Sequence, residues 1–225
     1  MLVSAPDRAV TVEVWSDVVC PWCYIGKRRL ERALAQFEHA DEVEVVWRSF
    51  QLDPTFPAGV RQPVSQMLAE KIGGTLEQVR QMNARVTALA AEEGLEYRLE
   101  QATMVNTFDA HRLTHLAKAH GKGDAAHERL LRAQLVEAQV LDDADTLVRL
   151  GVEIGLPEEE TRRVVAGDDY AQQVRDDFAA ARTLGVRGVP FFALNRAFAV
   201  SGAQPVETFV SALRAAYTRA RPAPS

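Results

Sequence analysis

Thiols are nearly missing from this sequence. Among 225 residues there are two cysteines, Cys20 and Cys23, and only Pro21 and Trp22 stand between them. That count excludes a framework of structural disulfides, and one bridge across so short a loop would constrain the unfolded chain very little. Long apolar runs are missing too: none approaches the roughly 18 residues of a membrane-spanning helix, so no membrane partner is expected. There is no basic tract with interleaved aromatics, and the net charge is −5, which argues against nucleic acid as a partner. The opening MLVSAPDRAVTVEV has no basic start leading into an apolar segment. A secretory signal is therefore not expected, and a cytoplasmic address is. Reducing cytosol rarely keeps a structural disulfide, so a working thiol pair or a metal half-site explains CPWC better than a staple.

What is present suffices for a sizeable core, since 47% of residues are hydrophobic and 25% charged. TVEVWS at 11–16 alternates like a strand, and VEVVWRS at 43–49 reads as a second buried strand. Between them Leu30, Ala33, Leu34 and Phe37 recur at helical spacing, with Lys27, Arg28, Arg29 and Arg32 falling largely on the opposite face. CPWC thus falls at a strand-to-helix turn.

The middle of the chain reads as successive helices. Thr75 and Gln78 form a capping box, and Gly94 stops that run. Asn106 is expected to cap a helix ending at His120, and further helices fit 125–139, 144–154, 157–166 and 169–184. GVRGVPFFAL and RAFAVSG form a hairpin about Asn195 and Arg196, PVETFVSALRAAY a closing helix, and RPAPS a frayed tail. The expected architecture is an α/β sheet domain, residues 1–55 and 185–225, interrupted by a helical insertion domain at 56–184.

A thiol in the first turn of a helix meets unpaired N–H groups and the positive end of the helix dipole, both of which favour thiolate. That thiolate attacks a disulfide, and a second thiol one turn later can attack the mixed disulfide and release the partner. Cys20, at the helix start and expected nearer solvent, is assigned as nucleophile, and Cys23 as resolving thiol. Pro21 suits a first helical position. Trp22 adds bulk without charge, so a milder oxidant than a CPHC site is expected. Any X-Pro bond is cis in only about 5% of cases, so Val189–Pro190 alone reads as trans.

SDVVCPWCYIGKRRLERAL, NTFDAHRL, GVRGVPFFALN and SGAQPVETF together resemble the DsbA-like branch of the thioredoxin superfamily, and more narrowly its FrnE-like group. The resemblance spans positions 16 to 209. It implies a thioredoxin fold with a large all-helical insertion, Cys20 and Cys23 as redox thiols, and a cis Val189–Pro190 beside them. Pro190 then joins the catalytic set. Pro21, Trp22 and Val189 become substrate-binding groups, with the backbone before the proline pairing with an extended chain. Asn106 and His111 are candidates for the groove between insertion and sheet, against the plainer reading that Asn106 caps its helix and His111 bonds within the domain interface. Relatives include glutathione-dependent 2-hydroxychromene-2-carboxylate isomerases and kappa-class glutathione transferases, where a serine typically stands at the place of Cys20. Cysteine at both places favours redox chemistry over such an isomerase or transferase acting on a small aromatic substrate.

The resemblance implies a disulfide- or thiol-containing protein or small-molecule substrate, the latter because the FrnE-like name is linked to polyketide pathways. Glutathione or a thioredoxin-like reductant is the expected redox partner, with no other cofactor. His111 and His115, one turn apart, make a formal Cys₂His₂ set with CPWC, but the spacing is far from that of compact zinc modules. No metal is expected. Glu158, Glu159 and Glu160 suit a helix N-terminus, Asp142, Asp143 and Asp145 a cap region, and Gly73-Gly74 a turn.

Overall fold

Four strands organise the molecule, whose computed structural model describes residues 9–221. The first eight residues, and the expected frayed tail from position 222 on, lie outside the described residues. Strand β1 (Val10–Ser16) runs parallel to β2 (Val43–Ser49), pairing Val14 with Trp47. On its other edge β1 is antiparallel to β5 (Phe191–Leu194), which forms a hairpin with β6 (Phe198–Ser201), so the order is β2-β1-β5-β6. The hairpin turns at Asn195 and Arg196, both at φ 50°. Asn195 holds the turn with its side chain, which accepts from the Thr11 amide and donates to the Ala9 carbonyl.

β1 is central and buried on both faces, each face carrying different chemistry. Val10, Val12 and Val14 join Leu30 and Ala33 of helix α1 (Pro21–Leu34) and Phe209 and Leu213 of helix α9 (Val206–Ala220) in one core. The opposite face presents Glu13 and Trp15 to helix α8 (Ala171–Thr183), and Trp15 Nε1 donates to the Asp177 carbonyl at 3.0 Å. Asp177 is buried. It accepts from the Ser49 amide at 2.8 Å and meets His115 at 3.1 Å and Arg48 at 3.1 Å. Arg48 in turn donates to Glu13. One buried carboxylate therefore fastens α8 to β2, and each of its two oxygens has a partner.

Between β2 and β5 the chain is almost entirely helical: α2 (Val64–Ile72), α3 (Leu76–Glu92), α4 (Phe108–Ala119), α5 (Gly123–Leu135), α6 (Ala144–Glu153), α7 (Glu158–Ala166) and α8. The Thr75–Gln78 capping box is formed in both directions, and Asp143 caps α6 through the Thr146 amide at 2.9 Å. Two features go beyond the sequence expectation. A ribbon of two-residue strands, β3 (Gln62–Pro63) with β4 (Thr103–Met104), encloses α2 and α3, and neither the ribbon nor α2 is expected from the sequence. Lys27, on the polar face of α1, is 2% exposed, because α5 covers that face and supplies Glu128 at 3.3 Å, with Asp124 at 3.2 Å and Glu31 one turn along α1. Burial opposes the charge, but these carboxylates hold the lysine pKa above its ordinary value.

Candidate active site

β1 ends at Ser16, and three residues later the chain turns into α1. The turn is closed by the Cys20 amide donating to the Asp17 carbonyl at 3.1 Å. Cys20 is the N-cap residue, extended at φ −89° and ψ 112°, and Pro21 takes the first helical position, where its missing N–H costs nothing. Cys23 follows within the first turn, its amide donating to the Cys20 carbonyl at 3.0 Å. Both cysteines are free thiols.

Opposite this turn, Val189–Pro190 is cis, as the resemblance implied and against the reading from local sequence alone. The Cys20 thiol lies 3.6 Å from the Val189 carbonyl. Gly26 explains how the loop comes so near: a Cβ there would sit 2.9 Å from Pro190 Cγ and 3.2 Å from Phe192 Cζ. One turn of α1 therefore offers bare backbone where the proline ring packs. Arg29 secures the same side, donating to Ala203 beyond β6 at 2.6 Å and to Glu93 after α3 at 2.7 Å.

Cys20 was expected nearer solvent than Cys23, yet the two are 3% and 1% exposed. Exposure scarcely separates them; their surroundings do. Cys20 faces the Val189 carbonyl and the loop edge. Cys23 lies in the same core of Ile25, Ala90, Leu95 and Leu131 that holds Cys20, but has Cys20, Ser16 and the Asp17 backbone beside its sulfur. Burial pushes the Cys23 thiol well above its ordinary pKa, and its contact with Cys20 adds to that, while Ser16 and the Asp17 backbone pull the other way. Cys23 stays protonated until its neighbour's chemistry changes.

Trp22 is 39% exposed beside the turn, and Pro21 is half-buried. Above them lies Tyr97, which the sequence reading did not single out. Its hydroxyl donates to the Pro21 carbonyl at 2.7 Å, its ring stacks on Tyr24 at 6.3 Å, and burial with both cysteines nearby raises its pKa. Tyr97 lies between helices in an alternating run, with Leu95, Tyr97 and Leu99 buried and Glu96 and Arg98 exposed between them, and that alternation was its signal in the sequence.

The structure thus gathers Cys20, Pro21, Trp22, Cys23, Val189 and Pro190 at one place. Asn106 is held by other partners, while His111 lies against Asp17 of the turn that carries Cys20. Asn106 Nδ2 donates to Phe56 at 2.6 Å, and its Oδ1 accepts from the Phe108 amide and Gln51; Thr107, not Asn106, is the N-cap of α4. His111 is buried with Nε2 3.4 Å from Asp17 Oδ1, and neither atom has a hydrogen-bond partner among the described residues. His115 turns to Asp177 and Ser49.

A dithiol at the first turn of a helix, with a cis-proline loop against its first sulfur and a four-stranded sheet below, defines a thioredoxin-fold thiol–disulfide oxidoreductase. The comparisons agree. The DSBA-like thioredoxin domain model matches residues 11–214, and the chain belongs to that family. A probable DsbA oxidoreductase from Streptomyces coelicolor is 45% identical and superposes with a TM-score of 0.89, covering 96% of this chain and 92% of that one. The uncharacterized protein YwbO of Bacillus subtilis is 30% identical over 148 residues, 65% of this chain and 67% of its own length. The cytosolic disulfide reductase DsbM of Pseudomonas aeruginosa shares the fold at 21% identity and a TM-score of 0.61, covering 91% of this chain and 97% of that one. The protein is a DsbA-like disulfide oxidoreductase whose thioredoxin fold is interrupted by a helical segment.

Proposed function

We propose that the enzyme works in the cytoplasm, with Cys20 as the attacking and Cys23 as the resolving thiol. The observation that carries this is the contrast between the two sulfurs: Cys20 faces the Val189 carbonyl, while Cys23, in the same core, has its pKa raised by burial and by its contact with Cys20. The Cys20 thiolate attacks one sulfur of a substrate disulfide, that S–S bond breaks, and one half leaves as thiolate. Cys23 then gives up its proton and attacks Cys20 Sγ, forming the Cys20–Cys23 disulfide and releasing the other half. Two electrons pass from the dithiol to the substrate, and run backward the same steps oxidise a substrate dithiol. The backbone at Val189 lies where an extended partner would dock by strand addition. The chemistry requires no metal or nucleotide.

Two molecules of glutathione would reset the pair, becoming glutathione disulfide. The P. aeruginosa protein of the same fold, solved with GSH, supports that partner. A thioredoxin-like reductant is the other candidate of the same class.

The assignment is tested by trapping. Cys23→Ala incubated with glutathione disulfide, or with a disulfide-bonded protein, is expected to accumulate one mixed disulfide on Cys20, seen by mass. An adduct that forms on Cys23 in Cys20→Ala but not on Cys20 would reverse the order of attack.

A further inference from the structure

Beside the dithiol lies a cavity of about 150 Å³ that the exchange steps do not use. An engineered cavity of about that size in another protein binds benzene. Pro21, the residue after Cys20, forms part of its wall, together with Leu68 of α2, Leu99 and Leu135. Leu99 and Leu135 also belong to the core that holds both cysteines, so cavity and thiols share a wall. At its edge stands Leu52, 39% exposed, which gives a ligand a way in.

The lining is mainly apolar; Asp53, Lys71, Asn83 and Gln134 are its polar members, and of these Gln134 alone has a buried side-chain atom without a hydrogen-bond partner among the described residues. Gln134 of α5 is 1% exposed. Its Nε2 donates to the Thr103 carbonyl at 2.8 Å, and its Oε1 has no hydrogen-bond partner among the described residues. A buried carbonyl acceptor left unpaired is costly, and Gln134 is one of the residues that line the cavity. Whatever fills the space gains by bringing one donor and an otherwise apolar body. A purely hydrocarbon ring leaves Gln134 Oε1 unpaired.

We infer that this cavity is a subsite for a single six-membered ring bearing a hydroxyl, carried by a small thiol or disulfide whose sulfur reacts at Cys20. The ring packs against Leu68, Leu99 and Leu135, and its O–H donates to Gln134 Oε1. The inference rests on the exchange reaction proposed above and names a substrate class for it: phenolic small molecules, with the volume admitting one ring and not two.

Phenol is the probe, because it carries no sulfur and its binding is read independently of thiol exchange. Calorimetric titration of the reduced chain is expected to show phenol binding about tenfold or more tighter than toluene, the size of one recovered hydrogen bond. Gln134→Leu should bring phenol to the level of toluene, and Leu68→Trp, which fills the space, should remove both. No saturable binding of phenol to the wild-type chain, or equal affinity for phenol and toluene, would overturn the inference whether or not the variants fold. Competition identifies the source of the ring. Displacement of phenol by 4-mercaptophenol is expected. Displacement by a tyrosine-containing peptide but not by 4-mercaptophenol would assign the cavity to a protein side chain and overturn the small-molecule assignment. Disulfide turnover with no phenol binding fails this inference alone, whereas phenol binding with no turnover of any disulfide fails the proposed function.

Discussion

Cys20 and Cys23 differ by three positions and by what each sulfur touches. One faces a carbonyl at the edge of a loop; the other, in the same buried core, is kept protonated by burial and by the neighbouring sulfur. The division of labour between attack and resolution is written in those surroundings more than in exposure, which scarcely distinguishes them. Tyr97 extends the argument one residue outward. Its hydroxyl holds the Pro21 carbonyl, and its ring closes the top of the core around both thiols. Tyr97→Phe removes that single donor and keeps the ring. A stability loss of about 0.5–1.5 kcal/mol is expected from urea unfolding of the reduced chain, with the Arg29–Glu93 contact intact. No loss at all would mean that water replaces the hydroxyl without penalty and that Tyr97 acts through its ring alone.

At the scale of elements, the decisive contact is α1 against the start of β5. Gly26 lets the two meet, and an added methyl would collide with Pro190 and Phe192. Gly26→Ala should therefore destabilise by about 1–3 kcal/mol through overpacking and slow disulfide exchange by moving the Val189 carbonyl relative to Cys20. Both are measurable, by denaturant midpoint and by stopped-flow reaction with glutathione disulfide. Unchanged values would show that the loop yields freely and does not position the partner. Much of this element was legible in sequence: a strand, CPWC and a helical repeat stand in one run, and β2 keeps its expected bounds at Val43–Ser49. The capping box before α3 was equally plain, because its two residues are three apart. What stayed hidden depends on distant partners. Residues of β3 and β4 pair in steps of two, too short for any alternation to register. The burial of Lys27 depends on α5, about a hundred positions away, and no local pattern signals a lysine that three carboxylates will surround.

Across the whole molecule, the sheet and the helical segment are joined by ionisable groups that are buried and costly to leave unpaired. Asp177 fastens α8 to β2, His115 lies against it, and His127 packs edge-on against Trp47 at 3.8 Å. Burial lowers the pKa of His115 and, further, that of His127, so both are neutral when folded at neutral pH. Burial opposes the Asp177 charge, but His115 and Lys118 hold its pKa below the ordinary value. The signs agree. As pH falls below about 6.5, the unfolded chain takes up protons on these histidines that the folded chain refuses, and stability declines by at most about 1.4 kcal/mol per pH unit for each. The urea midpoint should thus fall between pH 7 and pH 5, and His127→Phe should flatten that slope; a midpoint independent of pH over this range would contradict the buried, neutral histidines. These contacts hold the frame in which the dithiol works, and the central claim concerns the dithiol itself. The most direct test is equilibration of the full chain in glutathione redox buffers, with tryptophan fluorescence and thiol counting by mass as readouts. The account predicts one reversible two-electron transition joining Cys20 to Cys23, between about −120 and −270 mV, whose position gives the direction of catalysis. A chain in which Cys20 only accumulates bound glutathione while Cys23 remains a free thiol at every ratio would contradict it.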